Sequence, residues 1–306
     1  MVDFRYHLVS IVAVFLALGI GVLMGSGVVG EPLLDNIRDR ARDVQEFNDR
    51  LKDDVVDLEH ELTVSREFAE SVEPMLVEGR LAGEDIVIVD VAAGDAPLDA
   101  LMEGLEDRAG AEVASIITIS DDFELTSEED VAELGRIVGS GATPEELRVE
   151  AATQMGARIA ALADGRRGTQ DPADLLQELE DAGFLDLAEE EEAAPVPPGA
   201  SVVIAASGVT DPTFRIDQVV TALGAAAAEG APVVVVETSD SAWGIVGSVR
   251  GDGDLANVIG TVDNVDKLVG RIALAMSLDR LQGGEPGHFG EKSDDVTVIP
   301  EPGPRD

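Results

Sequence analysis

The sequence predicts an α/β protein with a single N-terminal transmembrane helix, a coiled-coil stalk and a doubly wound parallel-sheet domain. Three observations carry that expectation. One uncharged stretch near the N-terminus is as long as a bilayer core is thick, and a heptad pattern follows it. Beyond residue 80, short runs of Val and Ile alternate with helical patterns.

From Leu8 to Val29 there is no charged residue, and the only polar side chains are Ser10 and Ser26. At 1.5 Å per residue such a helix covers roughly 30 Å, enough to cross the hydrocarbon layer. A cleaved signal peptide is the rival reading. Its apolar core is normally shorter and ends in an Ala-x-Ala-like site, whereas here the run is long and Gly21, Gly25, Gly27 and Gly30 supply little of that signal. Arg5 and His7 precede the span and Glu31 and Asp35 follow it. Basic flanks stay in the cytoplasm, which puts the N-terminus inside and residues 31–306 outside. The expected location is therefore the cell membrane, single-pass, with the bulk of the chain extracytoplasmic. Ala13, Ala17, Gly21 and Gly25 recur every four residues, a spacing that lets two helix backbones approach closely in a membrane.

The stalk is expected over residues 31–80. Reading heptads from Leu34, the a positions run Leu34, Ala41, Asn48, Val55, Leu62 and Ala69, and the d positions Ile37, Val44, Leu51, Leu58, Ser65 and Val72. Sustained 3,4 alternation is the pattern of a coiled-coil seam, and a buried Asn at an a position lowers stability while favouring two parallel strands in register. A parallel homodimer fits, since two copies anchored in one membrane must run parallel. The flanking charges are less selective: Glu61 could meet Arg66 of a partner, but Asp54 would face Glu59. A hetero coiled coil, or a helix packed on its own domain, stays open. Residues 34–72 would extend roughly 60 Å as a helix, with Pro74 and Gly79 expected to end it.

The remaining mass, residues 81–282, reads as one α/β domain of Rossmann- or flavodoxin-like type. Ile86–Val89, Ile116–Ile119, Val202–Ile204 and Val233–Val236 are apolar runs without alternation, with Val258-Ile259 a shorter one. Strands apolar on both faces belong to parallel sheets covered on two sides. Helices are expected around 214–229 and 265–281, and capping boxes at Thr126/Glu129 and at Thr143-Pro144/Glu146, with another helix opened by Asp171-Pro172. An acidic, Pro-rich linker lies near 186–200, and residues 283–306, rich in Gly, Pro and acids, read as a mobile tail.

With 62 acidic against 21 basic side chains the formal net charge is −41. That field repels phosphates, so nucleic acid is excluded as a partner. There is no cysteine, which removes disulfides, thiolate metal sites and thiol catalysis together. The expected strand ends carry Asp90, Asp95, Ser120, Asp121, Asp122, Ser207, Thr210, Asp211, Thr238, Ser239 and Asp240. Convergent carboxylates there could hold Mg²⁺ or Ca²⁺, yet the same residue types cap helices. No phosphate-binding glycine motif and no G-x-S-x-G elbow is present. His7, His60 and His288 stand far apart in the chain. No catalytic residue, cofactor site or defined metal ligand emerges, and the chain is expected not to be an enzyme.

The opening Phe4-Arg5-Tyr6-His7-Leu8-Val9-Ser10, the apolar Ala13–Val22 and Gly25-Ser26-Gly27 resemble the MctB-type copper-transport family. So do Thr261-Val262-Asp263-Asn264-Val265-Asp266, Gly270-Arg271-Ile272-Ala273-Leu274 and Gly287-His288-Phe289-Gly290. The resemblance spans nearly the whole chain. It implies a role in lowering intracellular copper, and members are described as channel-like outer-membrane proteins. An outer-membrane pore needs many alternating strands, which these residues do not show, and no copper-ligand motif transfers onto this sequence. Two functions are thus expected from different classes. One is copper export or homeostasis in the envelope, implied by the resemblance. The other, from the residues, is a dimeric coiled-coil scaffold that presents the α/β domain to wall or division partners.

Overall fold

The structure is a computed structural model of the full chain and describes residues 4–28, 30–92, 95–165, 175–189, 195–292 and 297–301. The chain divides into two units, Met1–Glu67 and Phe68–Asp306.

In the first unit, α1 (Phe4–Val28) is helical throughout, and Arg5–Gly25 is the one described helix long and apolar enough to cross a membrane. The next helix, α2 (Gly30–Val77), runs for 48 residues. Its charges are laced along one side by Arg38–Asp35, Arg42–Asp39, Arg50–Glu46 and Lys52–Asp49 pairs three or four residues apart. Such pairs support an isolated helix by a few tenths of a kcal/mol each, about 0.2–0.5. Pro74 does not end α2, contrary to the sequence expectation. The helix carries it in its last turn, where the missing N–H forfeits one hydrogen bond. The chain leaves the helix after Val77, and Gly79 takes φ +66°.

In the second unit, seven strands among the described residues form one sheet. They are β1 (Asp85–Asp90), β2 (Glu112–Ile119), β3 (Leu185–Glu189), β4 (Ser201–Ala205), β5 (Val233–Val236), β6 (Ile259–Val262) and β7 (His288–Phe289). The order is β3-β2-β1-β4-β5-β6-β7, parallel throughout except for β3, which runs antiparallel to β2. Alternate residues serve two cores. Val87, Val89, Val202, Ile204, Val233 and Val235 face one layer of helices, and Ile86, Ile88, Val203, Ala205, Val234 and Val236 face the other. This explains the uninterrupted apolar runs of the inner strands: β1, β4 and β5 are buried on both faces, so neither parity of position can be polar there.

On the first face lie α4 (Glu128–Val138), α5 (Pro144–Ala163), α6 (Leu175–Asp181), α7 (Ile216–Ala227) and α8 (Ile245–Gly251). On the second lie α3 (Asp95–Met102), the π-helical turn Glu103–Arg108, α10 (Leu268–Gln282) and the end of α2 at Val77. A single turn, α9 (Gly253–Ala256), leads into β6. Helices α5 and α7 meet closely enough that a Cβ on Gly156 would stand 2.3 Å from the Leu223 carbonyl oxygen.

The Thr143–Glu146 capping box forms as expected, with Pro144 in the first turn. The other box is shifted by one residue: Ser127, not Thr126, caps α4, and Asp130 reciprocates. The expected start at Asp171-Pro172 lies outside the described residues. Three expectations are corrected. Residues 186–189, the start of the supposed linker, belong to β3, which pairs with β2 from Ile119↔Leu185 to Ser115↔Glu189. Val258 is exposed and precedes β6 instead of opening it. The segment after Gly283 is not a loose tail as far as Lys292: β7 extends the sheet, Phe289 is buried, and the Gly290 N–H donates to the Thr297 carbonyl.

Candidate functional site

The carboxyl ends of the strands are where the expected polar residues fall, and the structure separates them into distinct groups. Strand order reverses beside β1: the chain runs outward through β2 and β3, then returns to β4 on β1's other edge. Ligands of open α/β sheets bind at such a point. A crevice of about 260 Å³ lies there, and of the expected residues Ser120, Asp121, Thr210 and Asp211 line it. Asp122 lies instead against Gly183. Ala92, which leaves β1 into the crevice, holds φ +62°, a conformation costing a non-glycine residue roughly 1–2 kcal/mol.

Other expected residues are occupied locally. Thr238 donates to Asp240 at 2.7 Å, and Ser239 donates through its N–H and hydroxyl to Asp266 at 2.6 and 2.7 Å. Asp90 is buried at the end of β1, and Asp90 and Ser207 both have partners. The side chain of Asp95 lies outside the described residues. Among the described residues, no three His, Asp or Glu side chains converge as a metal site would require.

The densest polar chemistry lies where β5, β6 and β7 end, and it joins two segments the sequence reading treated separately. Asp263, directly after β6, is fully buried and its carboxylate meets Arg250 of α8 at 2.7 Å. The same guanidinium donates to Thr261 Oγ1 at 2.9 Å and to the Phe289 carbonyl at 2.7 Å. The N–H groups of Glu291 and Lys292 complete the Asp263 carboxylate at 2.6 and 3.2 Å. A Cβ on Gly290, whose φ is +137°, would sit 2.0 Å from Asp263 Oδ1, so only glycine lets the backbone come this close. Buried Glu237, which follows β5, accepts from Lys292 Nζ at 2.5 Å, and that ammonium also reaches the Ser241 carbonyl at 2.8 Å.

Neighbouring hydrogen bonds set the tautomer of His288. Its Nε2 lies 3.1 Å from the Ala256 carbonyl, which can only accept, so Nε2 carries the proton. Nδ1, 2.9 Å from Thr261 Oγ1, then accepts from that hydroxyl, whose oxygen in turn accepts from Arg250. Burial lowers the His288 pKa below its ordinary value; the Ala256 bond opposes this and nearby Arg250 adds to it. Both ring nitrogens are engaged, so the ring as placed offers no lone pair to a metal. Thr261–Asn264 and Gly287–Gly290 are thus one buried assembly clamping the C-terminal strap to the sheet.

Soft donors are scattered. Met155 and Met276 are core residues, Met102 packs partly buried, and Met75 is exposed on α2. The predicted transmembrane stripe Ala13, Ala17, Gly21 and Gly25 lies on the exposed surface of α1. On α2 the predicted seam residues Ile37, Val44, Leu51, Val55, Leu58 and Leu62 are 44–66% exposed, with Ala41 and Asn48 exposed among them. The side chain of Leu34 lies outside the described residues. Glu237, Arg250, Lys292 and Trp243 were missed from sequence. Glu237 had a visible signal, since it stops an apolar strand as Asp263 does.

A family model described as "Copper transport outer membrane protein, MctB" matches residues 1–300. The Copper transporter MctB of Mycobacterium tuberculosis (strain ATCC 25618 / H37Rv) is 28% identical over 307 residues, covering 95% of this chain and 96% of its own. The protein of the same name from Mycobacterium leprae (strain TN) is 26% identical over 310 residues, with the same coverages.

Proposed function

The chain belongs to the MctB copper transport family, and from that premise we propose that it is a membrane-anchored, non-enzymatic envelope protein of copper homeostasis. The observation that carries this reading is the reach of the family match, residues 1–300, through the apolar helix, the long helix and the α/β domain. In this reading α1 holds the chain in the cell membrane with the N-terminus inside, because Arg5 precedes the span and Glu31 and Asp35 follow it. The α/β domain then works outside the cytoplasm.

Copper is cargo in this proposal and not a resident cofactor of a single chain. Cu(I) is selected by thiolate and thioether donors and Cu(II) by imidazole and mixed N,O sets. This chain has no cysteine, two of its methionines are in the core, and its one imidazole in the α/β domain is held by hydrogen bonds at both nitrogens. Copper export would therefore run through an assembly to which this chain contributes.

The exposed apolar stripe of α2 supports a second reading. There the chain pairs in parallel through the heptads with a second copy, or with another helix, and presents its α/β domain to wall or division partners. Deleting the gene and restoring it in full separates the two. Lower copper tolerance with raised intracellular copper by mass spectrometry is the expected result. Unchanged copper content would overturn the copper reading, and defective cell separation at ordinary copper would favour the scaffold.

A further inference from the structure

The crevice at the ends of β1 and β4 has no part in the copper reading. Trp243, the single tryptophan of the chain, forms one wall and Phe214 another. The indole is fixed in place: its Nε1–H donates to the Thr210 carbonyl at 2.6 Å, and its ring presses so closely on Gly208 that a Cβ there would lie 1.9 Å from it. Three carboxylates, Asp121, Glu124 and Asp211, share the lining, and no Lys or Arg does. Glu124 is oriented by the Thr213 hydroxyl at 3.0 Å. Two neighbouring cations are already committed: Arg148 lies 4.8 Å over the Phe214 ring and donates to the Phe123 and Glu124 carbonyls, and Arg215, between the lining residues Phe214 and Ile216, pairs with Asp217 at 2.7 Å.

Those features narrow the ligand class. A phosphate or carboxylate would face three like charges with no Lys or Arg in the lining to receive it. A bare metal ion needs converging ligands, and the described acids do not converge. With Phe214 already carrying Arg148 over its ring, Trp243 is the aromatic wall left to a ligand, and an indole beside carboxylates fits a cation on an apolar or flat body, which gains from the ring and the charges together. The volume is below the roughly 300–1,000 Å³ of drug-sized sites, enough for one long side chain or a small amine. We propose that this crevice binds an organic cation, an ammonium or guanidinium group on an alkyl stem, presented either by a free amine or by a basic side chain of a polypeptide.

The lone tryptophan makes the site its own reporter. The full chain in non-ionic detergent would be titrated with agmatine and with the peptide acetyl-Gly-Arg-Gly-amide while Trp243 emission is followed. A saturable change with either probe is expected. Agmatine alone would assign a free amine, and the peptide alone a polypeptide side chain. Asp121→Asn and Asp211→Asn, both at exposed positions, should each weaken binding about fivefold with circular dichroism unchanged. No saturable response to either probe would overturn the proposal. So would equal binding of the citrulline peptide, an equal response to Mg²⁺, or unchanged affinity in both variants.

Discussion

Replacing Arg250 by Met tests whether the Asp263 cluster holds the C-terminal strap to the sheet. The substitution keeps an apolar stem of similar length and removes every donor. The Arg250 side chain is 13% exposed and that of Asp263 is 0%, so the carboxylate cannot recover its lost partner from water without local opening. Three contacts vanish, at 2.7, 2.9 and 2.7 Å. Charge-assisted hydrogen bonds are each worth about 1.5–3 kcal/mol, but summing them overshoots, because the guanidinium's own desolvation is relieved when it goes. Measured losses on breaking a buried pair are about 3–5 kcal/mol, and that is the expected destabilisation. The two backbone N–H groups on Asp263 keep the loss from being larger. Urea unfolding of the full chain would read the loss, and limited proteolysis would read release of residues 283–292. Adding Asp263→Asn to Arg250→Met should recover part of the loss, since no buried charge is then stranded. A loss below about 1 kcal/mol, with the strap still protected, would refute the argument, because it would equal an exposed surface pair.

Three further outcomes are expected. Gly156→Ala should destabilise the α/β domain by about 2 kcal/mol in urea unfolding: its Cβ would stand 2.3 Å from the Leu223 carbonyl, and overpacking of about 1–3 kcal/mol outweighs the helix-propensity gain of at most about 1 kcal/mol. His288 is held neutral with a pKa below its ordinary 6.5, so the unfolded chain binds the proton more readily. Stability should be level above that pH and fall as pH drops below it, until the folded-state pKa is passed. His288→Gln should flatten that decline in thermal melts. Asn48→Leu should raise the stability of α2 pairing but loosen its preference for two strands, seen as higher-order species in sedimentation. A wild-type chain in detergent that stays monomeric at high micromolar concentration would end the homodimer reading.

What the sequence by itself determined follows from periodicity and local chemistry. Val87 to Val89 and Val233 to Val236 read as strands buried on both faces, because an apolar run without alternation must hide both faces from water. Thr143 with Pro144 and Glu146 opens a helix through bonds made within four residues. The apolar helix at the N-terminus and the heptads of α2 are likewise readable from spacing alone.

The tertiary structure decided the rest, because pairing partners are not encoded locally. Leu185, Asp186 and Leu187 alternate only briefly, and the free edge of β2 turns that stretch into an antiparallel strand. The charge of Asp263 says nothing of its partner, which comes from Arg250 on one side and the Glu291 and Lys292 amides on the other. The strap was legible as Gly, Pro and acidic residues, a composition that suggests looseness. Gly290 is instead the residue that lets the backbone reach the buried carboxylate. The crevice, too, depends on the strand order, which places Asp121, Asp211 and Trp243 around one space. Local propensity sets what each segment can be, and burial against distant segments sets what it does.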